Sequence, residues 1–356
     1  PLVRTDLFQR FTLALRCLTP ALVACAAPIA SAVVCIGPRQ AVQPADYLAG
    51  GVAQYVGRFG IYTGTPISAR HFVVANHIGN AGGGQFFYNN GTATETQYAC
   101  TLAGALQDLA IYRLLDGQPS FTLWAPIYTR SDEIGMPVQV VGRGVDKGPA
   151  LNQAGNFIGW FWGTDDHVVT WGTNTISNTF NFGGPPGFAG PYTAFTFDQA
   201  EGPTECTAAN NDSSGPVFII DPRDGKQKLA GTIAAVDGNY SGTPNGPTFS
   251  GALFDTRGLY LGPNLISGPN PIPIKTYVVR FSQRLDFLRT VAAVPPFPCP
   301  ADLSGDRTVN TADLVQFLGV FGQRVYPGAP GDLIEDGFVD TADLAAFLGA
   351  FGVPCP

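Results

Sequence analysis

Asn211-Asp212-Ser213-Ser214-Gly215-Pro216 runs straight into Val217-Phe218-Ile219-Ile220. Six small or turn-forming residues that lead into a β-branched and aromatic run read as a tight turn feeding a strand. Such a turn exposes a serine hydroxyl and gathers backbone N–H groups beside it. Those are the two requirements of a nucleophile whose attack creates an oxyanion. Ser213 is therefore the candidate nucleophile.

A serine nucleophile needs a base, and the chain has 3 histidines, His71, His77 and His167. His77 follows the apolar run Phe72-Val73-Val74-Ala75 and Asn76, and precedes Ile78-Gly79-Asn80. It sits where a strand emerges into a turn, held by the sheet and facing outward. His71 begins the same strand, and His167 lies in a polar turn after Thr164-Asp165-Asp166. The base in turn needs a group that fixes its tautomer. Asp108 heads the run Leu109-Ala110-Ile111-Tyr112, where a carboxylate is readily buried against a histidine. His77, Asp108 and Ser213 form the candidate catalytic set.

The chain has 356 residues, more than one average domain, with 45% hydrophobic and 13% charged residues. That composition builds a core and excludes wholesale disorder. The 44 glycines and 30 prolines punctuate short runs at 52–59, 71–75, 96–102, 109–115, 138–141, 157–162, 168–171, 194–197, 217–220 and 229–236. The pattern predicts an all-β architecture, with one closing helix over 283–291 where Leu285, Leu288 and Val291 recur every three residues. A net charge of -7 without any basic run argues against nucleic acid and against an anionic membrane surface as partners.

Residues 1–32 read as a signal peptide. Arg4, Arg10 and Arg16 precede an apolar stretch that ends in Ala30-Ser31-Ala32. The stretch is too short for a membrane span, and the reading is a secreted or cell-surface protein. Leu22-Val23-Ala24-Cys25 offers lipoprotein anchoring at Cys25 as an alternative, but only a short apolar run separates it from Arg16. Residues 33–50 form an N-terminal extension. With the leader removed, Cys35, Cys100, Cys206, Cys299 and Cys355 remain, and export permits disulfides. Cys299 and Cys355 lie in Pro-Cys-Pro triplets at the two ends of the last segment, which favours their pairing. Cys100–Cys206 is a further pairing that spacing does not argue for. Residues 292–300 are a Pro-rich linker.

The three catalytic elements resemble those of the chymotrypsin/trypsin family of serine endopeptidases. Residues 74–77 read V-A-N-H against T-A-A-H, residues 108–114 read D-L-A-I-Y-R-L, and residues 211–216 read N-D-S-S-G-P against G-D-S-G-G-P. Their order is the family's. Residues 231–236 (G-T-I-A-A-V) and 277–288 (Y-V-V-R-F-S-Q-R-L-D-F-L) are similar to the strand lining its cleft and to its closing strand and helix. The resemblance covers residues 51–291. It implies two packed six-stranded antiparallel β-barrels with the catalytic set between them. It also implies an oxyanion hole from the N–H groups of Asn211 and Ser213, a structural Asp212, and Thr207 at the base of the primary substrate pocket. An uncharged Thr207 disfavours basic substrate side chains, although Glu205 is close in sequence. No I-V-G-G-type activation site precedes His77 at a suitable distance. Asn211 and Ser214 stand where the family has glycine, and Asn76 where it has alanine. These departures keep open an alternative, a catalytically inactive trypsin-fold binding protein.

The tail, 301–356, is a duplication: 305–322 aligns with 335–352 at eleven of eighteen positions. Calcium loops take oxygen ligands at positions 1, 3, 5, 7, 9 and 12. The first copy places Asp302, Ser304, Asp306, the Thr308 carbonyl, Asn310 and Asp313 there. The second places Asp332, Ile334, Asp336, the Phe338 carbonyl, Asp340 and Asp343, and Ile334 cannot ligate. Each loop precedes an apolar segment fit for one short helix. The arrangement resembles the dockerin module. It implies bound calcium, a cohesin-like partner, and tethering to an extracellular or cell-surface assembly, with no cofactor for catalysis.

Overall fold

In a computed structural model, residues 33–38, 40–43, 51–92, 94–185, 187–222, 225–292, 300–304, 308–325, 329–334 and 338–353 are described. The expected leader with its cut site and Cys25, the Cys299–Cys355 pair, and Asp306 and Asp336 lie outside them.

Six strands close into an antiparallel barrel: Gly57–Phe59, Tyr62–Ser68, His71–Ala75, Leu109–Leu114, Thr96–Leu106 and Gln85–Tyr88, in that order around the wall. Aromatic side chains fill it. Phe59, Phe72, Phe86, Tyr88, Tyr98, Tyr112 and Phe121 are all buried, and the Phe72 and Phe86 rings stack with centroids 4.0 Å apart. Gly57 makes room for them, since a Cβ there would stand 2.2 Å from the Phe86 ring.

A second, seven-stranded antiparallel sheet runs Thr170–Thr175, Pro137–Gly142, Pro216–Ile220, Gln227–Val236, Lys275–Arg280, Gly190–Thr196, Asn178–Phe182. The expected second closed barrel does not form among the described residues. The outermost strand, Asn178–Phe182, is largely exposed. The long hairpin Val145–Gln153 and Asn156–Asp165 joins Gly251–Leu253 in a sheet of its own instead of closing the main one. The short runs expected at 52–59 and 168–171 are also redrawn. Val52–Tyr55 makes a 3-10 turn that buries Val52 and Ala53, and the later strand begins at Thr170.

The helix expected over 283–291 spans Leu285–Ala292. It buries Leu288 and Ala292 in a core shared by both halves, together with Val73, Leu109 and Ile111 from the barrel and Val141, Phe218 and Val279 from the sheet. This shared core fixes the seam on which the site lies. No helix among the described residues is long and apolar enough to cross a membrane.

In the tail, helices Thr311–Val320 and Thr341–Ala350 follow the two loops. Their Phe317 and Phe347 rings meet at 5.2 Å in a small core with Val309 and Val339. Both helices begin earlier than the apolar segments suggested, because Asn310 and Asp340 act as N-caps and Asp313 and Asp343 complete capping boxes.

Candidate functional site

Strand register brings Asp108 to His77. His71–Ala75 pairs with Leu109–Leu114 so that Ala75 faces Leu109. The residue before Leu109 therefore lies beside the turn that follows Ala75, Asn76–Ile78. Asp108 is fully buried. Its Oδ1 accepts the His77 backbone N–H at 2.9 Å, and His77 Nδ1 lies 2.9 Å and 3.0 Å from Oδ1 and Oδ2. On the other side of the ring, Nε2 is 2.7 Å from Ser213 Oγ. With Nδ1–H given to Asp108, Nε2 is left to accept the serine hydroxyl proton. His71 and His167 are engaged elsewhere, with Ser68 and Asp165.

Three neighbours hold this arrangement: Asn76, noted in the sequence only as a replacement of alanine, and Arg284 and Phe188, for which the sequence suggested no such role. Asn76 donates from Nδ2 to the Gln107 carbonyl at 2.9 Å, pinning the turn that carries Asp108. Arg284, itself buried, donates to Gln107 Oε1 at 2.8 Å and places its positive charge near Asp108. Burial lowers the Arg284 pKa to about 10 and the Asp108 charge opposes that shift. Phe188 stacks on the His77 ring at 5.5 Å. Only Asn76 carried a readable signal, as a polar residue between an apolar strand and the base.

The Ser213 turn adopts the backbone that its two glycine replacements made uncertain. Asn211 has φ 70° and Ser214 φ 71°, in the left-handed region. The Asn211 side chain donates to the Asp165 carboxylate. Among the described residues no backbone acceptor takes the Asn211 or Ser213 N–H. Asp212 is buried beneath the turn, accepting from Gly144 N–H and Ala209 N–H at 2.8 Å each, and burial raises its carboxyl to about 7. The Ser214 hydroxyl accepts the buried Ala75 N–H at 2.7 Å, tying the nucleophile turn to the strand that carries His77. Ser214→Ala is expected to lose about 1–3 kcal/mol in denaturant unfolding, because that N–H is then left without an acceptor. Ser214→Gly relieves the positive φ while losing the same bond, so its loss is expected to be smaller.

A cavity of about 450 Å³ opens beside Ser213, walled by Trp162, Asn210, Ile233, Ala235, Asn239 and Ser250 among others, none of them charged. Thr207, expected at its base, is not in the lining. It belongs to Cys206–Thr207, and its hydroxyl lies 3.0 Å from that of Thr276 in the core. The backbone ladder with Val34 draws it away from the cavity. Glu205 is also turned away, its Oε1 accepting from Asn174 Nδ2 at 2.8 Å and from Asp198 N–H.

Burial raises Glu205 to about 8. Unfolded glutamate titrates near about 4.3. Between these values the folded chain holds a proton that the unfolded chain lacks, so stability falls as pH rises, with a limiting slope of about 1.4 kcal/mol per pH unit. Asp212 acts in the same sense up to about 7. The thermal midpoint is expected to drop from pH 5 to pH 8, and Glu205→Gln to remove part of that drop. An unchanged slope in the variant would refute the assignment.

Val33, the first residue beyond the expected cut after Ala32, is fully buried. A Cβ on Gly142 would stand 2.1 Å from Asp212 Oδ1 and 3.0 Å from Val33 Cγ1. Val33 is thus part of the packing around the Ser213 turn.

In the tail loops, Asp313 accepts Ser304 N–H and Asn310 N–H, and Asp343 accepts Leu333, Ile334 and Asp340 N–H. Loop closure and capping thus use both carboxylates directly. Ser304 donates to Asp302 and Asn310 donates to the Thr308 carbonyl. Among the described residues no group of three or more His, Cys, Asp or Glu side chains is placed to hold a metal.

No family model matches the chain, and no curated protein matches it. Among solved structures it is similar to Rv3671c from M. tuberculosis H37Rv, determined as the inactive form of a serine-to-alanine mutant. The TM-score is 0.37 and the identity 13%, over 73% of this chain and 98% of that one.

Proposed function

We propose that this protein is a serine endopeptidase working through an acyl-enzyme. The observation that carries the reading is His77 bridging a buried Asp108 and Ser213 Oγ at hydrogen-bond distances on both ring nitrogens. Ser213 Oγ attacks the substrate carbonyl while His77 Nε2 takes its proton. The Asn211 and Ser213 N–H groups face the oxyanion that forms. His77 then returns the proton to the leaving amine. A water, deprotonated by the same nitrogen, releases the acid and regenerates Ser213. Asp108 holds the tautomer throughout.

Labelling with a fluorophosphonate tests this. Ser213 is expected to be modified, and modification to be lost in His77→Ala. A folded, unlabelled protein would instead support the inactive trypsin-fold binder. The glycine-like backbone of Asn211 weighs against that alternative.

The uncharged cavity supports cleavage after neutral side chains. A second cavity of about 330 Å³ is lined by Phe180, Phe182, Phe188, Tyr192, Tyr277 and Asp237, whose carboxylate accepts the Tyr277 hydroxyl; it shares Ala234 and Ala235 with the first, and its aromatic walls suit a further side chain with an apolar body. Peptides with Leu or Phe before the scissile bond are expected to exceed Arg peptides in kcat/KM by at least about tenfold. Equal or better cleavage after Arg would refute this.

For the tail we propose calcium binding by Asp302, Ser304, Asp306, the Thr308 carbonyl, Asn310 and Asp313 of the first loop, whose oxygen donors suit a hard cation. The second loop, with Ile334, is the weaker. A dockerin-like role in tethering the exported enzyme to a cohesin-like module follows from that reading. Calorimetry of the full chain with calcium, against an Asp302→Ala variant, tests it, and identical heats would refute it.

A further inference from the structure

Cys35 and Cys206 stand opposite each other in a short antiparallel ladder, Val34–Cys35 against Cys206–Thr207. Both are buried, at 2% and 0% exposure, and both are free thiols in this structure. Ile36 N–H donates to the Glu205 carbonyl at 2.9 Å. The flanking pair is therefore the hydrogen-bonded one, and Cys35–Cys206 is a non-hydrogen-bonded pair. In such pairs the Cα atoms are about 4.5 Å apart and the side chains approach most closely. That lies inside the roughly 4.4–6.8 Å range that a disulfide bridges.

The side chains also leave the ladder together. A Cβ on Gly172 would come 2.7 Å from Cys206 Sγ and 2.8 Å from Cys35 Sγ. Two sulfurs flank one point, and the adjoining strand Thr170–Thr175 has its glycine there. Cys100 offers no competition. It lies in the aromatic core of the barrel, whereas Cys35 and Cys206 share a core with Val138, Val140 and Val217 in the other half. The Cys100–Cys206 pairing considered from sequence is thereby ruled out by position.

We propose that Cys35 and Cys206 form a disulfide that staples residues 33–37 to the segment leading into Ser213. The oxidant is an external disulfide, a glutathione dimer or the disulfide of an oxidoreductase. One cysteine thiolate attacks it, forming a mixed disulfide and releasing one thiol. The second thiolate displaces the other, so the two cysteine sulfurs are oxidised, one external S–S bond is reduced, and both protons end on the released thiols. Because the finished fold encloses both sulfurs, exchange precedes docking of residues 33–37, and the completed bond is shielded from reductant. The staple holds Val33 in the packing around Asp212. It stands whether or not Ser213 is catalytic.

The full chain would be refolded in reduced and oxidised glutathione, denatured with excess iodoacetamide, and digested without reductant. A linked peptide containing Cys35 and Cys206 is expected, with Cys100 recovered alkylated. Recovery of Cys35 and Cys206 both alkylated, or a link from either to Cys100, would overturn the proposal. The bond closes a long loop, so the oxidised chain is expected to melt about 10 °C above Cys35→Ser. Equal midpoints would also overturn it. Should that variant not fold, the peptide map of the unsubstituted chain still decides.

Discussion

Asp108→Asn is expected to lower kcat by about four orders of magnitude with the fold intact, and Ser213→Ala by about six. The difference follows from what each atom does. The substituted carboxamide would keep an oxygen for the His77 backbone N–H that Asp108 Oδ1 now accepts. Its NH2 group would then face Nδ1 and donate to it, moving the imidazole proton to Nε2. A protonated Nε2 cannot accept from Ser213, although the ring still lies 2.7 Å from the hydroxyl. The loss is thus a tautomer effect, to be read in kcat with KM and thermal midpoint little changed. Ser213→Ala removes the nucleophile itself, and only binding and the oxyanion donors remain. Retention by Asp108→Asn of more than about a tenth of the activity would show that Asp108 does not set the His77 tautomer. Equal losses in the two variants together with a collapsed thermal midpoint would show that Asp108 is chiefly structural.

The His77–Asp108–Ser213 arrangement was legible because each member sits beside the end of a strongly apolar strand, and such strands pair in the way their pattern demands. Ala75 opposite Leu109 follows from burying 72–75 and 109–112 on one wall. Once that register is set, Asp108 reaches His77 without further information. The helix start at Thr311 was also readable in principle, since Asn310-Thr311-Ala312-Asp313 has the spacing of a capping box. What could not be read is what depends on long-range packing. Thr207 looked like a pocket residue by its spacing from Ser213, but a two-residue ladder with Val34 turns it into the core. The second sheet alternates as a barrel strand would. Its failure to close depends on where the hairpin 145–165 pairs, which its own sequence does not specify. Cys35 and Cys206 are 171 positions apart in the chain, and only the fold shows that they are neighbours.

The largest expected effect on stability lies behind Ser213, at Asp221 and Lys228. Lys228 Nζ is 3.1 Å from Asp221 Oδ2, with side-chain exposures of 2% and 0%. They brace the connection between Pro216–Ile220, which leaves the Ser213 turn, and Gln227–Val236, which walls the cavity beside Ser213. Asp221 also closes that connection through its backbone, donating to the Lys226 carbonyl and accepting from Gly225 N–H, both at 2.8 Å. Asp221→Ala leaves a buried ammonium without its carboxylate and is expected to cost about 3–5 kcal/mol. That is on the order of a thousandfold in the folded-to-unfolded ratio. Replacing both partners with apolar residues, Asp221→Leu with Lys228→Met, removes the charge along with its desolvation penalty. The double variant is expected to recover most of the loss, to within about 1–2 kcal/mol of the unsubstituted chain. Denaturant unfolding of the three variants in parallel separates a pairing role from a packing role. If the double variant is as unstable as the single one, volume and shape at this turn dominate, and the ion pair is incidental. If it recovers, the pair holds the turn through the cost of breaking it, and the cavity wall at 233–236 is expected to keep its geometry and its substrate preference in the apolar version.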